Sequence, residues 1–244
     1  MDGFDATEAP LEYQERLALV HLFTIGMGIG WTVNYAGMVR KSFQQQTYCM
    51  AAMPLGCNFA WEFTYCFVYP SKNWVERIVF LIGIFLNVGI MYSAIQSANN
   101  EWSHSALVMN HLASIFIIMT FVWLTGHLAL GAQLGPSLAY SWGGYLCQLL
   151  LSFGGLCQLL MRGTTRGGLY TLWLSRFFGT SCACGVFTLR CKYWPREFAW
   201  LNCPLILWGL AVWLIGDISY GLCFWYIKQH ERETAGLKRH GKSA

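Results

Sequence analysis

Apolar runs of about twenty residues recur along almost the whole chain, separated by short polar stretches. That recurrence decides what the chain can fold into, because about 20 apolar residues is the length a helix needs to cross a hydrocarbon core. Only 11% of the residues are charged and 55% are hydrophobic. A soluble domain carries about 25% charged residues. So little charge cannot cover a water-facing surface, and the surrounding solvent must be lipid. The runs do not alternate with the period of two that a membrane β-barrel requires. They predict an all-α membrane protein, a single domain over residues 1–244 with polar tails at 1–16 and 228–244.

The runs place seven spans at 17–39, 47–69, 75–97, 107–131, 136–161, 169–190 and 204–227. Short connections join neighbouring helices in one bundle. The distribution of Lys and Arg sets an orientation. With the N-terminus lumenal, Arg40, Lys41, Arg162, Arg166, Lys228, Arg232, Lys238, Arg239 and Lys242 fall on the cytosolic side. Arg16, Lys72, Arg77, Arg190, Lys192 and Arg196 fall on the other, and the C-terminus is cytosolic. The N-terminal MDGFDATEAPLEYQER is acidic and has no basic leader, so the first span is expected to act as the targeting signal. Gly26, Gly30 and Gly37 mark close helix contacts in the first span. Pro54 is expected to kink the second.

The acids carry the functional information. Ten of the twelve Asp and Glu residues lie in tails, loops or helix ends, and only Glu62 and Asp217 lie well within apolar spans. A charge at mid-bilayer costs at least about 2.5–3.5 kcal/mol, and such residues usually serve a function. An apolar medium favours a neutral carboxyl, the state that a Brønsted acid needs. Helical spacing puts Asn58 at i−4, Tyr65 at i+3 and Tyr69 at i+7 from Glu62. It puts Trp213, Tyr220 and Phe224 at the same offsets around Asp217. Aromatic faces attract cations and line sites for apolar ligands. On residues alone, catalysis, proton-coupled transport and a structural role all stay open. Helical rise sets the two acids about 12 Å apart in depth, unless tilt or a kink closes the gap.

Other polar residues rank lower. His111 and His127 read as core histidines, since neither has a His or Cys at metal-binding sequence spacing. Arg176 reads as an interfacial side chain, with a counter-ion role as the alternative. Gln133, Gln148 and Gln158 are expected to bridge helices. The ten cysteines contain no C-x-x-C pair, and Cys191 and Cys203 are expected to be free thiols rather than a disulfide. No metal or cofactor is expected. No lysine within a span is available for a retinal Schiff base, and no Asp-Asp pair, nucleotide loop or G-x-S-x-G elbow occurs. No basic cluster with interleaved aromatics points to nucleic acid.

Six segments, GMGIGWTVNYAGMV, TYCMAAMPLGCNFAWEFTYCFVYPSK, GHLALGAQLGPSLAYSWG, CQLLLSFGGLCQLL, RGTTRGGLYTLWLSRF and GDISYGLCFWY, appear in order along the chain. Together they resemble the small fungal integral-membrane terpene cyclases of meroterpenoid and indole-diterpene biosynthesis. The opening MDGFD and the YPSK turn are most similar to the paxilline-type indole-diterpene branch. The resemblance implies seven spans and two essential acids. One is in the Asn-x-x-Trp-Glu motif, here Glu62, and one in the Asp-x-x-Tyr-Gly segment, here Asp217. It implies protonation of the epoxide of a prenyl chain, then carbocation polycyclisation, with no metal required. The expected substrate is epoxy-geranylgeranyl-indole, with an epoxy-farnesyl meroterpenoid precursor as the alternative. Glu62 is expected to donate the proton, and Asp217 to hold or re-protonate that donor or to shape the same proton site, both facing one cavity lined by Asn58, Tyr65, Tyr69, Trp213, Tyr220 and Phe224. The implied setting is a multi-pass protein of the endoplasmic reticulum that meets its lipophilic substrate in the bilayer, beside a membrane-bound epoxidase. A small seven-span transporter is the competing class. The repeated Pro-Gln motif of that class is absent.

Overall fold

The computed structural model of the chain describes residues 8–71 and 74–240, with side chains through Ala235. Residues 1–7 of the N-terminal tail, Lys72 and Lys242 lie outside the described residues, as do the side chains of Lys238 and Arg239. The described residues form helices α1 (Leu11–Gln14), α2 (Leu17–Gln45), α3 (Ala52–Phe63), α4 (Trp74–Gln96) and α5 (Ala98–Glu101). There follow α6 (Ala106–Leu134), α7 (Pro136–Arg162), α8 (Tyr170–Tyr193), α9 (Pro195–Phe198) and α10 (Pro204–His240). No strand occurs among them. Six helices, α2, α4, α6, α7, α8 and α10, are long and apolar enough to cross a bilayer. The 12-residue α3 is shorter and continues as a π-helical segment, Thr64–Val68.

Large apolar side chains face outward. On α2, Leu22, Ile25, Ile29 and Val33 recur every three or four residues, each more than half exposed. On α6, Ile117, Ile118, Phe121 and Val122 do the same. The buried interior instead holds Asn34, Asn58, Glu62, Asn87, His127, Ser152, Arg176 and Asp217. Apolar residues outside and hydrogen-bonded polar residues inside is the arrangement for a bundle dissolved in lipid, where association depends on packing and polar contacts.

The bundle holds a close pair, α2 on α8. A Cβ on Gly30 would lie 2.7 Å from the Gly179 Cα, so only glycine permits this approach. The small-residue reading of the first span is thus met at Gly30, and also at Gly37, where a Cβ would lie 2.4 Å from the Leu172 side chain. α3 sits between α4, α6 and α7, and α10 packs on α7 and α8.

Two local expectations are corrected. Pro54 does not kink a span, because α3 begins at Ala52 and places the proline in its first turn, where the missing N–H has no carbonyl to lose. The irregularity lies at the other end, where Tyr69 N–H bonds to the Thr64 carbonyl five residues back, at 2.9 Å. Gln133 is exposed and does not bridge helices. Gln148 does: its amide donates to Ser152 Oγ and its carbonyl accepts from Thr180 Oγ1, each at 3.0 Å. Gln158 ties α7 to the α2–α3 loop through the Tyr48 carbonyl.

One end of the bundle is closed by a polar knot. Glu101 pairs with Arg162 at 3.1 Å and Arg166 at 3.7 Å, and accepts a hydrogen bond from Thr47. Arg166 also donates to the Gln45 and Gln46 carbonyls. Glu231 of α10 accepts from the backbone and hydroxyl of Thr165. Three connections are thereby fixed together. At the other end Tyr13, Trp194 and Phe198 form an aromatic plug.

Candidate active site

The interior contains two carboxyl centres with different partners. Glu62 is on α3 and buried. Asn58, one turn earlier, donates its amide to Glu62 Oε1 at 3.0 Å. Asn87 of α4 donates to Oε2 at 2.7 Å. Gly83, one turn before Asn87, leaves the room: a Cβ there would sit 2.7 Å from Oε1. Among the described residues, the groups bonded to Glu62 are these two neutral amides. The Asn87 Oδ1 is buried and unpartnered. Half a turn of that amide therefore presents an acceptor to a protonated Glu62 in place of a donor.

Asp217 is on α10 and fully buried. Arg176 of α8 donates from Nη2 to Oδ1 at 2.5 Å. Trp213, one turn before Asp217, donates its indole N–H to Oδ2 at 2.9 Å. Trp173 donates to the Asp217 backbone carbonyl at 2.9 Å. Arg176 is itself only 4% exposed, so it does not reach the interface. The counter-ion reading of Arg176 holds and the interfacial one does not. The Tyr220 ring lies 5.5 Å from its guanidinium carbon.

Among the described residues the two carboxyls share no hydrogen bond, and each has its own donors. Tyr35 of α2 is buried and within electrostatic range of Asn58, Glu62 and Arg176. A polar cavity opens beside the Arg176 end, lined by Asn34, Gly155, Trp173, Arg176 and Tyr220 and roofed by residues Arg162 to Gly168. Neither Glu62 nor Asp217 is in its wall, so this cavity is not the shared one expected.

The remaining predicted residues divide. Tyr220 stacks on Phe224 at 6.0 Å, and Phe224 meets Tyr170 edge-on at 4.8 Å. Trp213 stacks on Phe177 at 5.4 Å. Of these rings Trp213 bonds Asp217 directly, while Tyr220 and Phe224 form a separate stack with Tyr170. Tyr65 and Tyr69 join a second aromatic cluster with Trp61, Phe80 and Tyr140. The π-helical segment between Glu62 and Tyr69 removes the i+7 alignment that a regular α-helix gives. The Tyr65 hydroxyl is buried without a partner.

The sequence reading missed Asn87, Gly83, Tyr35 and Trp173, all brought to the acids from other helices. The core-histidine reading holds for His127 and is corrected for His111. His127 is buried, and the fold brings it to Cys57 and Cys147, which no sequence spacing joins. His111 is exposed, at a non-helical residue inside α6. Cys191 and Cys203 are free thiols, as expected.

Comparison with known proteins returns one family. The profile of the Pyr4-like transmembrane terpene cyclases matches residues 4–230. The terpene cyclase janB of Penicillium janthinellum is 59% identical over 234 residues, 96% of each chain. The terpene cyclase ptmB of Penicillium ochrochloron is 56% identical over 241 residues, 98% of this chain and 99% of that one. The terpene cyclase paxB of Penicillium paxilli is 54% identical over 232 residues, 95% of this chain and 96% of that one. No solved structure matches.

Proposed function

The chain belongs to the Pyr4-like transmembrane terpene cyclases, and from that premise we propose that Glu62 is the acid that opens the epoxide of a prenylated substrate. It is a membrane-bound enzyme of terpene cyclisation. The observation that carries the assignment is the contrast in partners. Glu62 bonds two neutral amides, and a carboxyl buried without a cation costs least as the neutral acid. Asp217 bonds a guanidinium and an indole N–H, so it serves as a fixed anion.

The reaction then runs in a set order. The Glu62 O–H passes its proton to the epoxide oxygen. The C–O bond breaks toward a tertiary cation, and alkenes along the chain attack in turn. Loss of a proton, or capture by a nucleophile, ends the cascade. The Glu62 carboxylate left behind is stabilised by Asn58 and Asn87, whose N–H groups already point at both oxygens. The Asp217–Arg176 pair orders Trp213 and Tyr220, whose ring faces stabilise developing positive charge. Tyr65, Tyr69 and Phe224 extend the apolar lining. A dry interior keeps water from quenching the cation.

The substrate is epoxy-geranylgeranyl-indole. Whole-length identity of 53–59% to several terpene cyclases supports a shared substrate class. In this reading α3 with its π-helical segment is the seventh span, the N-terminus is lumenal and the C-terminus cytosolic. The enzyme resides in the endoplasmic reticulum beside the epoxidase that supplies its substrate. Membranes carrying the enzyme, supplied separately with epoxy-geranylgeranyl-indole and an epoxy-farnesyl polyketide, are expected to cyclise the first. Turnover of only the second would move the assignment to the meroterpenoid branch.

A further inference from the structure

Three helices bring a thiol, an imidazole and a second thiol to one point. Cys57 of α3 has its Sγ 3.7 Å from His127 Nε2 of α6 and 3.7 Å from Cys147 Sγ of α7. All three donor atoms lie within 4.8 Å of one another, and all three residues are buried. Buried thiols ordinarily pack as small hydrophobes. Here they converge on a histidine nitrogen, which apolar packing does not require. Zn–S bonds of about 2.3 Å and Zn–N bonds of about 2.0–2.1 Å set donor atoms about 3.6–3.8 Å apart on a tetrahedron. Two of the three edges already have that length.

We propose that Cys57, His127 and Cys147 bind one zinc(II) ion. This is independent of the substrate assignment and of the roles of Glu62 and Asp217. Binding replaces two S–H protons, released to solvent as the protein folds, with two Zn–S bonds, while the imidazole stays neutral. One dication and two thiolates sum to zero charge. That neutrality selects a divalent ion over copper(I), which would leave a net negative charge in a low-dielectric bundle. The fourth position is bordered by the Cys57 carbonyl oxygen, 3.3 Å from the same imidazole nitrogen. The ion would staple α3 to α6 and α7. Cys57 immediately precedes Asn58, so the staple fixes the helix register that aims Asn58 at Glu62.

The test is metal analysis of the full-length protein in lipid nanodiscs, after expression with added zinc. The wild type and Cys182→Ser, a buried thiol outside the group, are expected to carry about one zinc per chain. Cys57→Ser, Cys147→Ser and His127→Gln are expected to carry on the order of tenfold less or lower. Should these variants fail to accumulate, wild type grown with cobalt(II) gives a second readout, thiolate-to-cobalt charge-transfer absorption. Wild-type protein with neither zinc nor that absorption overturns the proposal. So do zinc that persists in both cysteine variants, copper in place of zinc, or a Cys57–Cys147 disulfide in thiol-blocked protein.

Discussion

Glu62 and Asp217 are the same functional group in the same bundle, yet the fold gives them opposite surroundings. Glu62 has two amides from α3 and α4, a glycine opposite it, and an amide free to reverse its polarity. Asp217 has a guanidinium and an indole N–H, neither of which can become an acceptor. The first environment tolerates both protonation states. The second offers the carboxyl donors alone. The acid role proposed for Glu62 and the anion role proposed for Asp217 rest on that difference in partners.

The most forceful way to break this comparison is to exchange the acids for amides one at a time. Glu62→Gln is expected to lower cyclisation by about 10²–10⁴-fold at matched membrane levels, since Gln keeps the shape and has no proton to give. Near-normal turnover by Glu62→Gln, with Asp217→Asn inactive, would reverse the two roles. Next in size is the ion pair. Arg176→Met leaves Asp217 buried and uncompensated, which is expected to cost about 3–5 kcal/mol. Thermal unfolding in detergent measures it, and Arg176→Met combined with Asp217→Leu should regain most of the loss. Equal unfolding of the single and double variants would show that the two residues do not act as a pair.

Smaller effects sharpen the contrast. Asn87→Leu removes one donor from the Glu62 carboxylate and is expected to raise the barrier by about 1–2 kcal/mol, roughly tenfold in kcat. An unchanged kcat would mean that Glu62 does not pass through an anion stabilised by Asn87. Trp213→Phe keeps an aromatic ring, though a smaller one, and deletes the N–H to Asp217, and the lost hydrogen bond is expected to cost about 0.5–1.5 kcal/mol of stability. Its effect on chemistry should show in the product mixture read by mass spectrometry, with little change in total turnover.

Both acids were legible in the sequence because a carboxyl in a long apolar run is costly and therefore informative. Asn58 and Trp213 were legible too, since i−4 spacing on one helix needs no tertiary knowledge. Arg176 is 41 residues from Asp217 and Asn87 is 25 from Glu62. Which helices neighbour each other, and with what rotation, is set by contacts such as Gly30 against Gly179, and hydropathy carries no trace of them. The same reason hid Cys57, His127 and Cys147, which come from three separate helices. Helix ends differed where hydropathy and helix propensity part. α10 runs to His240 and not 227, because Lys, Gln, Glu and Arg sustain a helix after the apolar run has ended. Tyr69 lost its predicted place to a π-helical turn, which no periodicity announces.

The ion pair between α8 and α10 also has a history within each molecule. The ribosome makes Arg176 41 residues before Asp217. At about 5–20 residues per second, the arginine waits about 2–8 s for its partner to be made. During that interval a nascent chain holds a bare guanidinium on an apolar helix, and something must shelter it: the insertion machinery, lipid phosphates or water drawn in beside it. A chain stalled or truncated before α10 never leaves that state. A finished interior thus differs from an unfinished one by the pairing of a single charge.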